Sequence, residues 1–422
     1  MKKYLSILSM VAAALPLSAQ QYFVGNCDKD ALSYKCGEEM KFEISLMKDG
    51  KPVIGQKLKW EIRADDGSPE RKGEAVSAAE PLKLSAKCNT PGFVNVCVYA
   101  VDENGKVPRS KIVKNASLSF QGGAGADVEK IKNSGTEPAD FDKFWAEQLA
   151  ELAKVPMQYQ KKPLPQFSQN GKFDVYELTI ECVGKPAKAF LSVPKGAKAK
   201  SLPMMAIFSG YGIGRLDPQN RDGFITLRVL RHSYDTLREP AYYEAMKKGE
   251  LKRFGLNAAE NKDPKNCYFK NMILRDLRAL DYAKKNVPEW NGKTIITRGG
   301  SMGGFQSIFV AALDKDVSDC WADVPWMTDL WASDCGTTRL KCHFKPEWTP
   351  SIRYFDSTLA IKRVKCKTSI NAWLGDYVCP PAGIMVLYNN ANKNTKIDFG
   401  QNGTHAGSVS KKETSKHYTL SK

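Results

Sequence analysis

Lys293 to Leu313 reads KTIITRGGSMGGFQSIFVAAL, a buried strand, a very tight turn and a helix in succession. Thr294 to Arg298 is a short β-branched run that predicts a strand, and Gln306 to Leu313 predicts a helix. Gly299-Gly300-Ser301-Met302-Gly303 fills the turn between them. This is the G-x-S-x-G pattern of a nucleophile elbow. Small residues two positions either side of the serine let strand and helix approach closely, while the strained serine projects its hydroxyl above the sheet. The helix that follows brings its N–H groups and positive dipole end to where an oxyanion would form. Taken alone, the pentapeptide also fits an ordinary glycine-rich turn or a phosphate-binding one. Its partners decide.

A serine hydroxyl is a weak nucleophile without a base, usually a histidine oriented by a carboxylate. The chain has four histidines. The order serine, acid, histidine sets His232 aside, because it precedes Ser301. His343 lies in a segment between strands, and His417 lies in a lysine-rich tail without a core pattern. His405 remains, in a loop after the expected last strand, Thr395 to Phe399. The acid should end the strand before that one. Thr368 to Leu374 is such a strand, followed by Gly375-Asp376 and by Cys379-Pro380-Pro381 at the start of a helix. Asp376 is the first choice, and Asp398, inside its own strand, is the second.

Upstream, Met204 to Ser209 predicts another buried strand, ending in Phe208-Ser209-Gly210-Tyr211-Gly212. In an α/β-hydrolase the loop after the third strand donates one oxyanion-hole N–H, and the residue after the nucleophile donates the other. By position these are Tyr211 and Met302; an ordinary glycine turn is the other reading of the loop. Between these segments, Gly223 to Leu230 predicts a strand ending in Arg231-His232-Ser233. Asp235 to Lys265 reads as a polar surface excursion, and Cys267 to Asn286 as an amphipathic helix with Met272, Ile273, Leu277, Leu280 and Ala283 on its buried face.

Met1 to Gln20 has two lysines, an apolar run and a small-residue end, the pattern of a secretory signal peptide, which predicts export to the periplasm or beyond. No later stretch is long and apolar enough for a membrane anchor. Gln21 to Gly122 alternates short strands with Asp49-Gly50, Asp66-Gly67 and Asn104-Gly105 turns. Met40 to Leu46, Lys57 to Arg63, Phe93 to Val101 and Ile112 to Phe120 are the clearest strands, and together they predict a small immunoglobulin-like β-sandwich that serves as a spacer or docking module. Trp60 reads as core, with sugar stacking as the alternative. Residues 123–136, opening on a glycine-rich run, predict a linker. Residues 137–422 predict an α/β-hydrolase domain that begins with a helix bearing Phe141, Phe144, Trp145, Leu149 and Leu152 on one face.

The formal charge of +17 admits an acidic partner such as a nucleic acid, an anionic membrane or a uronic-acid-bearing glycan. The lysines are dispersed and no nucleic-acid motif accompanies them, so a solvated basic surface is the simpler reading. Eleven cysteines cannot all pair; Cys27 with Cys36 and Cys335 with Cys342 are near enough to consider. No spacing matches a zinc signature.

The segments EPADFDKFWAEQLAEL, FSGYG, NCYFKNMILRDLRALDYA, TRGGSMGG, WADVPWMTDL, Tyr354 to Asp356, LGDYVCPPAGIMVLYN and GTHAG run in order across Glu137 to His405. In this set the chain resembles the acetyl xylan esterase and cephalosporin C deacetylase family of carbohydrate esterases. With its amino-terminal β domain it also resembles secreted esterases of gut bacteria that degrade plant glycans. The resemblance implies Ser301, Asp376 and His405 as catalytic residues, Tyr211 and Met302 as oxyanion donors, and an acetylated oligosaccharide or polysaccharide as substrate. It implies no metal or organic cofactor, and it implies a homo-oligomer unless the added β domain blocks the contact. The family normally carries an Arg-Gly-Gln motif that braces the active-site loops, where this chain has Arg231-His232-Ser233. Those residues then either brace the site or touch substrate. The rival readings are a feruloyl esterase, a glucuronoyl esterase, a peptidase, or an inactive glycan-binding protein.

Overall fold

The computed structural model describes residues 20–111, 116–342, 344–410 and 415–422. Most of the expected signal peptide, the start of the expected Ile112 to Phe120 strand and His343 lie outside the described residues. The amino-terminal region forms two antiparallel sheets. One joins Gln21–Cys27, Met40–Lys48, Lys51–Pro52 and Leu82–Ala86; the other joins Arg71–Val76, Lys57–Ala64, Gly92–Ala100 and Ser119–Ala126. Alternation sets the inner face: Met40, Phe42, Ile44 and Leu46 are buried, and Lys41 and Glu43 are exposed. Trp60 is partly buried against the core.

The expected linker is not a free connection. Gly122 to Ala126 complete the Ser119–Ala126 strand, paired with Gly92–Ala100. A β-carbon on Gly123 would stand 2.1 Å from the Val94 carbonyl oxygen, so glycine here permits a close strand contact. Further along, the Asp127 N–H donates to the Tyr34 carbonyl and the Ser134 N–H donates to Asp329. One continuous apolar cluster runs from Phe23 in the amino-terminal sheets to Tyr418 in the large sheet, and in it the Phe93 ring lies 5.8 Å from that of Phe399.

A ten-stranded sheet carries the rest. In spatial order its strands are His417–Ser421, Thr395–Gly400, Lys367–Trp373, Asp319–Asp323, Trp290–Gly300, Leu202–Phe208, Ile225–Val229, Ala187–Pro194, Phe173–Ile180 and Tyr159–Pro163. The run from Thr395–Gly400 to Ile225–Val229 is parallel, and antiparallel strands flank it on both sides. The lysine-rich tail, expected to lack a core pattern, adds the outer strand His417–Ser421 and buries Tyr418. His417 bonds Asp398 across that pair at 2.5 Å, so its Nδ1 is engaged there rather than with Ser301 or Asp376.

Helices cover the sheet. Phe141–Lys154 buries Phe141, Phe144, Trp145 and Leu152 as its pattern predicts, with Gln148 buried beside them. Tyr268–Asn286 buries its predicted face and, in addition, Arg275, Asp276 and Arg278. Met302–Leu313 begins immediately after Ser301, four residues earlier than expected, and is buried along nearly its whole length. All eleven cysteines are free thiols, so neither expected pair is joined.

The loop after Asp319–Asp323 runs beneath the elbow and ends in a buried ion cluster. Arg353 Nη1 lies 3.3 Å from both Asp329 Oδ1 and Asp356 Oδ2, and Arg339 Nη1 lies 2.7 Å from Asp329 Oδ2. Both aspartate side chains are fully buried. Removing the shared cation leaves two carboxylates poorly compensated in a low dielectric. Arg353→Met should therefore lower stability by about 3 kcal/mol or more, read as a lower urea midpoint at unchanged slope; a midpoint equal to wild type would refute it.

Candidate active site

The elbow's geometry follows from its glycines. A β-carbon on Gly299 would stand 2.5 Å from the Gly303 backbone, and one on Gly303 would stand 2.5 Å from the Phe208 carbonyl oxygen. Real β-carbons do not approach so closely, so both positions require glycine. Ser301 between them has φ 57° and ψ −122°, a strained conformation for a residue with a side chain. Its backbone is held from below: its N–H donates to the Asp323 carbonyl at 2.9 Å, and its carbonyl accepts from the Trp326 N–H at 3.0 Å. Ser301 stands at the helix N-cap position without capping, so its hydroxyl is free for other partners.

Those partners are the expected ones. Ser301 Oγ lies 2.9 Å from His405 Nε2, and His405 Nδ1 lies 2.8 Å from Asp376 Oδ2. Asp376 is fully buried, and its Oδ1 accepts from the Val378 and Cys379 N–H groups at 2.8 and 2.9 Å. Since the acid accepts at Nδ1, the imidazole carries its proton there and presents Nε2 as acceptor to the serine O–H. His405 sits at the tip of a small hairpin whose arms are Gly403–Thr404 and Gly407–Ser408. The acid loop reaches it through Gly375, whose N–H donates to the Gly403 carbonyl at 3.1 Å. A β-carbon on Gly375 would meet that carbonyl at 2.6 Å.

Asp376, Cys379 and His405 also bring three metal-ligand atoms within 4.8 Å of one another. The carboxylate and imidazole atoms are already engaged by the bonds just described. Burial, with the neighbouring Asp376, pushes the Cys379 thiol well above its ordinary range. The donor set suits the serine-centred chain better than a resident cation.

The loop carrying Tyr211 lies over Ser301: a β-carbon on Gly210 would be 3.7 Å from Ser301 Cβ. Met302 opens its helix, so its N–H has no intrahelical acceptor. The Tyr211 ring stacks on Phe254, with centroids 4.0 Å apart and planes within 9°, and its hydroxyl donates to the Phe254 carbonyl at 3.1 Å. Sequence reasoning missed Phe254. It belongs to the stretch read as a polar surface excursion, which instead folds inward through a short helix, Pro240–Lys248, and buries Tyr243, Phe254 and Leu256. No periodicity marks these residues: Tyr243 is the one buried side chain of a short polar helix, and Phe254 and Leu256 reach inward from the irregular stretch after it. Asp323 and Trp326 were missed as well, although WADVPWMTDL contains both: they hold Ser301 through backbone groups, at a strand end and in the loop after it, which side-chain patterns do not mark.

Arg231 and His232 both reach the carbonyl of Gly212, the residue after Tyr211. Arg231 donates through Nε, and His232 Nε2 lies 3.1 Å away. His232 Nδ1 bonds the Tyr268 hydroxyl at 2.5 Å, and the Arg231 carbonyl is satisfied by Arg275 Nη2 at 2.9 Å. The Tyr268 hydroxyl also lies 3.0 Å from that carbonyl, but the Gly212 carbonyl can only accept, which puts the imidazole proton on Nε2 and leaves Nδ1 to accept from Tyr268. His232 is then neutral, with its proton on Nε2. It is 1% exposed, and burial, with the adjacent Arg231 charge second, pushes its pKa down to about 3.

Residues 126–421 match the model of a protein family described as acetyl xylan esterase (AXE1). The chain is 26% identical over 373 residues to acetyl esterase Axe7A of Xylanibacter ruminicola, covering 84% of this chain and 80% of that protein. That share takes in part of the amino-terminal β region, since the family match begins only at residue 126. Among solved structures, it is similar in fold to an acetyl xylan esterase from Paenibacillus sp. R4, at 19% identity and a TM-score of 0.53 over 66% of this chain and 93% of that one. Acetyl Xylan Esterase 1 from Thermoanaerobacterium sp. JW/SL YS485 matches at 21% identity and 0.51, over 66% and 92%. Both bear out the α/β-hydrolase fold of the large sheet.

The depressed His232 pKa makes stability depend on acid. The unfolded histidine titrates near 6.5 and the folded one near 3, so its contribution is complete above pH 6.5 and is lost as pH falls toward 3. The loss is on the order of 5 kcal/mol across that window. His232→Gln keeps a donor toward Gly212 but cannot titrate. Urea unfolding from pH 7 to 4 should show a shallower decline in this variant than in wild type; parallel curves would rule the account out.

Proposed function

Since the chain belongs to the acetyl xylan esterase family, and is a carboxylic ester hydrolase, we propose that it removes acetyl groups from acetylated xylan or xylo-oligosaccharides through Ser301, His405 and Asp376. The observation that carries this reading is the unbroken hydrogen-bonded line from Ser301 Oγ through His405 to the buried Asp376. Each member stands just past the carboxyl end of a parallel strand, where α/β-hydrolase chemistry is done.

In the proposed cycle His405 Nε2 takes the serine proton as Oγ attacks the acetyl carbonyl. The Tyr211 and Met302 N–H groups receive the oxyanion, helped by the positive end of the Met302–Leu313 helix. Asp376 stabilises the imidazolium by accepting at Nδ1. The sugar hydroxyl departs with the Nε2 proton and leaves an acetyl-serine. Water, deprotonated by the same nitrogen, then attacks that ester and releases acetate. Every proton passes through one imidazole, so these steps call for no cofactor.

The remaining expectations belong to the same proposal. Arg231 and His232 act as a brace on the Tyr211 loop, a role supported by their shared bonds to the Gly212 carbonyl. Two four-stranded antiparallel sheets support an immunoglobulin-like reading of the amino-terminal region. The sequence of Met1 to Gln20 supports export. Among the described residues no helix is long and apolar enough to cross a membrane.

Acetate release from acetylated xylo-oligosaccharides tests the central reading. Ser301→Ala should reduce kcat at least about a thousandfold, the scale on which triad residues act. A variant that keeps wild-type turnover would exclude Ser301 as the nucleophile.

A further inference from the structure

The histidine hairpin is tied on its inner side to the amino-terminal β region, through the two residues that lead into it. Gln401 is fully buried, and its side-chain amide pairs with the backbone of Gly123 in both directions. The Gly123 N–H donates to Oε1 at 2.8 Å, and Nε2 donates to the Gly123 carbonyl at 2.9 Å. Gly123 lies on the strand Ser119–Ala126, at the outer edge of its sheet, so the glutamine stands where another strand would pair. Asn402, 1% exposed, accepts from the Gln121 N–H at 3.3 Å and donates to the Phe23 carbonyl at 3.0 Å. Its φ of 57° is one that asparagine tolerates, and it turns the chain into the hairpin bearing His405 three residues later. On the far arm, the Ser410 hydroxyl donates to the same Phe23 carbonyl at 2.7 Å.

The acid loop is held from the same side. A β-carbon on Gly375 would lie 2.6 Å from the Gln121 carbonyl oxygen, so the loop carrying Asp376 runs directly against this strand. Tyr377, next to the acid, lies under the Arg63 guanidinium at 5.4 Å. Two of the three loops that form the serine-centred line therefore rest on the β region. The match to Axe7A extends into this region as well, beyond the family's own boundary at residue 126.

We infer that the amino-terminal β region is a fixed part of the active site rather than a spacer, and that Gln401 and Asn402 are positioning residues that hold His405 in line with Ser301 and Asp376. The inference rests on the proposed role of that triad. A displacement of His405 by about 1 Å is enough to cost a factor of about a hundred in rate. Backbone bonds from a rigid sheet are suited to preventing it.

The test is the rate at which a fluorophosphonate labels Ser301, measured with kcat and KM on an activated acetyl ester, in the full chain and in Gln401→Ala. A displaced histidine activates the serine less well in every molecule. The labelling rate constant and kcat should then both fall by about ten- to a hundredfold, with KM within about twofold and labelling still running to completion. A purely structural role would leave the rate constant at its wild-type value and reduce only the fraction labelled; that result overturns the inference, as does a variant indistinguishable from wild type. Asn402→Asp keeps the side chain's shape and the backbone conformation but sets an oxygen against the Phe23 carbonyl, and it takes the same test if Gln401→Ala does not fold. If the phosphonate fails to label Ser301 in the wild type, the inference falls together with the triad assignment. A labelled wild type with unaltered variants overturns the inference alone.

Discussion

Gly303 approaches the Phe208 carbonyl so closely that a β-carbon would stand 2.5 Å from the oxygen, and Gly299 is pressed against Gly303 in the same way. These contacts bring the Trp290–Gly300 strand, the Met302–Leu313 helix and the loop after Leu202–Phe208 to one point. They leave Ser301 in a conformation that costs on the order of 1–3 kcal/mol. That cost is offset by bonds to Asp323 and Trp326, in a loop that has irregularities of its own. Val324, Met327 and Asp329 all have positive φ, and for a β-branched valine this is a true outlier. The loop keeps that shape because its far end is locked: Asp329 joins Arg339, Arg353 and Asp356 in a buried cluster. The serine's orientation thus depends on a chain of constraints that ends well away from it.

The same use of close backbone contact recurs where the acid and histidine meet. Gly375 lies against the Gly403 carbonyl and the Gln121 carbonyl, and Gly400 and Gly403 lie under the Trp373 ring. Loops can bring side chains to within hydrogen-bonding distance reproducibly only if something denies them other positions. Here the denial comes from a tryptophan packed on two glycines and from a second sheet behind them. The buried carboxylate of Asp376 is made tolerable by the two amides of its own loop.

Over the serine, the Tyr211 loop is held by side chains of the chain itself. Phe254 stacks beneath its ring, and Arg231 and His232 grip the carbonyl of the following glycine. Where the family's Arg-Gly-Gln motif normally braces these loops, this chain has an arginine beside a neutral histidine. Burial keeps His232 uncharged next to Arg231, so the pair works as one cation and one dipole rather than as two repelling charges.

The amino-acid sequence determined the fold class, the elbow and the order of the candidate site residues, because each rests on local contrast: β-branched runs against glycine turns, and helical against strand periodicity; the family came instead from the resemblance of a set of motifs running in order across Glu137 to His405. Ser301, Asp376 and His405 were legible since each stands just past a strand that the pattern marks clearly. Tertiary structure alone decided what holds them. Gly122 to Ala126 read as a linker and form a strand; the stretch around Phe254 read as a surface excursion and packs under the site; Cys27, Cys36, Cys335 and Cys342 were near in sequence and remain unpaired. Gln401 and Asn402 are ordinary polar residues until a strand almost three hundred positions earlier comes alongside. A side chain's chemistry is written in its own identity and neighbours, whereas its support comes from contacts between distant segments, which exist only once the whole chain has closed on one core.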